Sequence, residues 1–214
     1  MPTDAPSAKS FEESWLDSFI ELFTLCGAHA DESITLLTET QSRQINIELA
    51  RDALIGMKLA HRIVAVAGKA PNSGPIIRST GASTALTGED ATIDKLCESD
   101  LVIDLTVEGL MHAPETAGIL KSGARIMTIS NEHPEILARL RPNLAMKEIV
   151  RSAVAACRAA STMTVTSPAG TELSVTMTDI PTVGVWGWTD RPGTLAHWPG
   201  GLVVSFPRQA SCNG

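Results

Sequence analysis

Histidine moves protons near neutral pH more readily than any other side chain. This chain has five: His29, His61, His112, His133 and His197. His112 follows the apolar segment LVIDLT through Val107-Glu108-Gly109-Leu110-Met111. That segment reads as a buried strand, and ligands of α/β proteins gather beyond the carboxyl ends of such strands. His197 sits in Leu195-Ala196-His197-Trp198-Pro199-Gly200-Gly201, where glycines let a ligand or another strand approach closely. His112 is a candidate for proton transfer, its plainer reading being a loop histidine bonded to main chain, and His197 is a candidate functional residue. His133, in Asn131-Glu132-His133-Pro134, follows another strand and reads as a loop residue. His29 and His61 lie beside helix ends and read as cap or surface residues.

Several other chemistries lack their residues. No G-x-G-x-x-G follows either early strand, and Gly68-Lys69 runs into Ala70, so no phosphate-cradling loop is present. H-E-x-x-H does not occur. Gly81-Ala82-Ser83-Thr84-Ala85 approaches a nucleophile elbow but lacks its last glycine. Cys26, Cys97, Cys157 and Cys212 have the spacing of no zinc or redox motif and read as free thiols.

The elements that must carry the two histidines alternate. Residues 33–38 (SITLLT), 62–67 (RIVAVA), 101–106 (LVIDLT) and 125–130 (RIMTIS) read as strands. Helices are expected over residues 43–60, 87–98, 114–121 and around 134–140. An amphipathic helix comes first, opened by a Ser10/Glu13 capping box and carrying Phe11, Trp15, Phe19, Leu22 and Phe23. Residues 74–84 are rich in Gly, Ser and Thr and read partly as strand. Met146, Ile149, Val150, Ala153, Val154 and Cys157 repeat as one stripe, which predicts a long helix facing the core.

After about residue 160 the period changes to two, with TMTVT and LSVTM around the turn SPAGTE. The fold class is therefore α/β: a mostly parallel sheet covered by helices in the N-terminal half, then a β-rich, hairpin-containing part. We place an α/β domain at residues 1–160 and a β-rich segment at 161–214, the start of a second domain continued in a longer protein. An open β layer of this size also predicts a homo-oligomer.

Composition narrows the partners. Hydrophobic residues make up 43% of the 214, enough to bury a core. A net charge of −7, with no basic stripe, argues against nucleic acid. No apolar run approaches a membrane span, and the N-terminus has no signal-peptide pattern, so no membrane partner and a cytoplasmic location are expected.

The last fifty or so residues carry the most specific pattern. Ala169-Gly170-Thr171-Glu172-Leu173-Ser174-Val175 resembles the hairpin of the aminopeptidase T-like metallopeptidases. His197-Trp198-Pro199-Gly200-Gly201-Leu202-Val203, Phe206-Pro207 and Asn213-Gly214 continue that pattern. Where the peptidases place a metal-binding Glu, this chain has Leu202, which cannot bind a hard cation. The HWPGG wording instead resembles the 2,5-dihydroxypyridine 5,6-dioxygenase family, which shares the scaffold.

The resemblance implies a ring-cleaving dioxygenase that uses Fe(II), O₂ and a small aromatic N-heterocycle. Its iron would be held by two histidines and a carboxylate in a C-terminal region beyond this chain, so no metal ligand is assigned here. His112 would be the base or a substrate-orienting group, and His197 a hydrogen-bond donor to substrate or oxygen. Leu110 and Met111 would line the substrate ring with apolar surface. Two other readings remain open: a peptidase relative with an altered metal site, and a non-catalytic truncated homologue acting as a binding module.

Overall fold

The computed structural model describes residues 11–68 and 81–213. Two compact units emerge: residues 1–142 with 187–199, and residues 143–186 with 200–214.

The first unit opens with α1 (Phe11–Leu25), then β1 (Ile34–Glu39), α2 (Gln44–Gly56) and β2 (His61–Val66). It continues through α3 (Asp90–Cys97), β3 (Leu101–Asp104), α4 (Thr116–Lys121), β4 (Arg125–Ile129) and α5 (Pro134–Arg139). Ser10 of the expected capping box lies outside the described residues, as does most of the stretch 74–84. The described part of that stretch, 81–84, forms no strand.

β3 and β4 are buried along their whole length, and β1 along all but its last residue. That is the pattern of strands covered on both faces. The sheet order is β2-β1-β3-β4-β8, with every pairing parallel. The fifth strand, β8 (Leu195–Trp198), comes from beyond residue 160, out of the region read as β-rich. It is only four residues long, and such a run does not reveal which sheet it will join.

Side-chain alternation divides the core into two faces. One face packs Leu37, Val102 and Ile126 with Leu86, Leu96 and Ile119. On the other, Trp198 meets Phe19 of α1 edge-on, with ring centres 5.2 Å apart. This geometry adds about 1 kcal/mol beyond simple burial. The Trp198 indole N–H also donates to the Leu140 carbonyl at 2.9 Å. The α1 stripe is thus core: Phe19, Leu22 and Phe23 have no exposed surface.

The second unit holds α6 (Leu144–Ala159), β5 (Thr162–Thr166), β6 (Glu172–Thr176), β7 (Thr182–Val185), β9 (Leu202–Ser205) and β10 (Cys212–Asn213). β5 and β6 form the expected antiparallel hairpin, with β10 on its far side, while β7 and β9 form a separate antiparallel ribbon. Asn143 caps α6 by accepting the Met146 N–H at 3.1 Å. The α6 stripe departs from its expected core role: Val150 is its only buried residue, and Ile149 is 61% exposed. A two-stranded ribbon is too narrow to cover a whole stripe. Its contact line runs at Gly184, where an added Cβ would stand 2.5 Å from Val150 Cγ1 and 2.9 Å from Val154 Cγ2.

Candidate functional site

One lateral row of the parallel sheet, near the carboxyl ends of its strands, is polar. In register across three strands stand Asp104 of β3, Thr128 of β4 and His197 of β8. They share the face that carries Leu37, Val102 and Ile126. Asp104 has no exposed surface. Its Oδ1 accepts from Thr106 N at 3.0 Å and Thr106 Oγ1 at 2.7 Å. Its Oδ2 accepts from Leu110 N and Thr128 Oγ1, both at 2.8 Å. Burial pushes this carboxyl up, and the four donors pull against that rise. Asp104 thereby folds the chain after β3 into a fixed loop, because two main-chain N–H groups of that loop end on one carboxylate.

That loop, residues 105–113, holds three of the candidate residues. Leu110 is fully buried and joins the sheet core. Met111 is half-buried and His112 exposed. Of the two residues expected to give apolar surface, only Met111 has exposed surface in this arrangement. The loop is fastened on its other flank by residues 81–83. Gly81 N–H donates to Glu108 O at 2.5 Å and Ser83 N–H to Gly109 O at 2.9 Å, and His112 N–H returns to Gly81 O. Gly81 has φ +75°, and an added Cβ would stand 3.1 Å from both His112 Cδ2 and Met111 Cβ. The glycine is what lets this strand of chain lie against the histidine ring. Ser83 accepts the Ala85 N–H at 3.1 Å and is buried, which makes it a turn former and not a nucleophile.

His197 lies at the carboxyl end of β8, and its Nδ1 is 2.9 Å from the Pro199 carbonyl. A carbonyl only accepts, so Nδ1 carries the proton. Burial lowers the imidazole pKa, against the Pro199 bond and the nearby Asp104 charge, and favours the neutral ring. Nε2 of this neutral ring then presents a lone pair. The Trp198-Pro199 peptide that follows is cis.

The remaining histidines are committed to structure. His133 caps α5 by accepting the Glu135 N–H at 3.3 Å, and its ring meets Trp15 edge-on at 5.3 Å. His61 Nδ1 lies 3.2 Å from the Leu59 carbonyl, and His29 Nε2 lies 3.5 Å from Glu32. Cys26 is buried, which pushes its thiol up to about 12 and keeps it inert.

Sequence reasoning missed Glu39, Asp104 and Thr128. Glu39 closes β1 and accepts the Val107 N–H at 2.5 Å, joining the loop from a third side. Burial raises its carboxyl pKa, and Asp104 and Glu108 add to that rise. The available signal was an acid inside or ending an apolar strand, as in LVID and ITLLTE.

Among the described residues, no three His, Cys, Asp or Glu side chains converge to hold a metal ion. The described residues therefore do not fit a resident Fe(II), and no step is derived through one. Among the described residues no helix is long and apolar enough to cross a membrane.

Comparison with known proteins places this architecture. The solved 2,5-dihydroxypyridine dioxygenase from Pseudomonas putida KT2440 superposes with a TM-score of 0.82 at 28% identity, over 96% of this chain and 59% of that one. The 2,5-dihydroxypyridine 5,6-dioxygenase of Pseudomonas putida is 37% identical over 131 residues, which is 61% of this chain and 37% of the relative. The chain thus spans under two thirds of both. Wild-type AmpT from Thermus thermophilus, at 14% identity and a TM-score of 0.53, covers 96% of this chain and 64% of its own, and shares the fold alone. The profile of the NicX family, 2,5-dihydroxypyridine 5,6-dioxygenase, matches residues 14–214. This chain belongs to the 2,5-dihydroxypyridine 5,6-dioxygenase family.

Proposed function

We propose that this chain supplies the substrate-binding α/β part of an enzyme that opens the ring of 2,5-dihydroxypyridine with O₂. The observation that carries the reading is the polar row Asp104–Thr128–His197 beside the glycine-fastened loop bearing His112, in a chain of this family. The row ends at the carboxyl edge of a parallel sheet, where α/β proteins gather their ligands.

The chain's own residues divide the work. His197, neutral at pH 7, accepts a hydrogen bond or a proton from a ring hydroxyl at Nε2, and the Pro199 carbonyl holds its orientation. His112, exposed on the loop, serves as the second proton-handling or orienting group. Met111 gives the flat ring an apolar contact. In this reading Fe(II) would supply the redox chemistry, and the described residues offer it no ligand set. A homo-oligomer in the cytoplasm belongs to the same proposal. Its support is the wholly exposed, uncharged edge strand β5, an unprotected surface for strand pairing.

Anaerobic calorimetry with 2,5-dihydroxypyridine tests the reading, with nicotinate as competitor and a leucine peptide as control. Saturable binding of the dihydroxypyridine and none of the peptide is the expected result. Binding of the peptide alone would overturn the proposal in favour of a peptidase relative.

A further inference from the structure

The sheet order reverses between β1 and β3, and the residue that ends β1 at that reversal is Glu39. Both the carboxylate and the main chain around it are hydrogen-bonded. Its Oε1 accepts the Val107 N–H at 2.5 Å. Its own N–H donates to Ser42 Oγ at 2.8 Å, and Thr40 Oγ1 donates to the Ala67 carbonyl at 2.6 Å, so the strand end itself is fixed. Opposite stands Gly68 with φ +64°, where an added Cβ would lie 2.5 Å from Glu39 Oε2. A side chain there would press on the carboxylate that reaches Val107, and φ +64° itself favours glycine. Among the described residues the charged groups acting on it are Asp104 on β3 and Glu108 in the loop, both acidic, and both add to the rise in its pKa that burial causes.

Asp104 fixes Thr106 and Leu110 from inside the core, and residues 81–83 fix the far flank of the loop. Val107, between these anchors, has its N–H held by Glu39. We infer that Glu39 is a positioning residue for substrate binding: through Val107 it holds residues 107–112, and with them Met111 and His112, at the crevice where the strand order reverses. The inference deepens the proposed dihydroxypyridine site and rests on it. Glu39 acts through the loop and does not itself touch the ring.

The test compares the full chain with Glu39→Ala, Glu39→Gln and Gly68→Ala. Two readouts are taken: amide hydrogen exchange, and anaerobic affinity for 2,5-dihydroxypyridine. Glu39→Ala is expected to speed exchange at residues 107–110 and to weaken affinity about ten-fold, the loss of one hydrogen bond to a charged acceptor. Glu39→Gln restores both to within about three-fold, because its amide oxygen accepts the same N–H. Gly68→Ala reproduces the alanine phenotype while leaving Glu39 in place. Unchanged exchange in Glu39→Ala overturns the inference, as does failure of glutamine to rescue, or acceleration spread evenly over the sheet. If the wild-type chain binds no dihydroxypyridine, the proposed function fails, and the exchange comparison alone still decides for or against the hold on Val107.

Discussion

Replacing Asp104 by asparagine removes one oxygen and one charge while keeping the shape. Each carboxylate oxygen takes one main-chain N–H and one threonine hydroxyl: Thr106 N with Thr106 Oγ1, and Leu110 N with Thr128 Oγ1. Whichever oxygen becomes NH₂, the hydroxyl beside it can turn and accept, but the main-chain N–H cannot. One fully buried N–H is left unpaired, at about 1–3 kcal/mol. The surviving bonds lose charge assistance, roughly 0.5–1 kcal/mol each. Relief from burying a charge offsets part of this, so the expected net loss is about 2 kcal/mol. Thr128→Val removes a single hydroxyl bond and is expected to cost about 1 kcal/mol. Urea unfolding at pH 7 measures both. A stability for Asp104→Asn within about 0.5 kcal/mol of wild type would refute the reasoning, as would a larger loss for Thr128→Val than for Asp104→Asn.

Other perturbations probe neighbouring parts of the account. His197 has a lowered pKa in the folded chain, so it is neutral in both states above about 6.5 and contributes no pH dependence there. Below that, the unfolded chain takes up the proton first, so wild type should lose stability relative to His197→Gln between pH 6.5 and its folded pKa; a urea-midpoint difference of the opposite sign contradicts the buried neutral ring. Gly81→Ala forces a side chain into φ +75° and to 3.1 Å from His112, which should cost about 1–2 kcal/mol and weaken dihydroxypyridine binding in the same titration. Gly184→Ala drives a Cβ to 2.5 Å from Val150 and should destabilise the second unit by about 1–3 kcal/mol, read as faster exchange along α6.

Much of this could be read from the residues because burial writes itself as pattern. LVID and RIMTI carry apolar residues toward both faces, so they announced covered parallel strands, and TMTVT with LSVTM announced a hairpin. The Phe19–Phe23 stripe announced a docked helix. The α6 stripe misled because period 3.6 reports which residues lie together and not whether anything covers them; only Val150 found full cover. β8 was hidden because four residues of LAHW do not name their sheet, and the pairing with β4 is made across some 65 residues of chain. At the site, His112 and His197 stood out by type and loop position. Glu39 and Asp104 did not, because their role is to accept main-chain N–H groups from residues 2 to 68 positions away, and such partners leave no motif.

The central claim is that the dihydroxypyridine ring binds at the carboxyl edge of the parallel sheet. Isotope-labelled chain titrated anaerobically with 2,5-dihydroxypyridine tests it by the positions of the amide resonances that move. The account predicts shifts concentrated at residues 107–112 and at His197 and Trp198, lost in His197→Gln. Shifts confined to the groove of about 450 Å³ lined by Val150, Val154, Val183 and Trp186, or no saturable shifts at all, would contradict it.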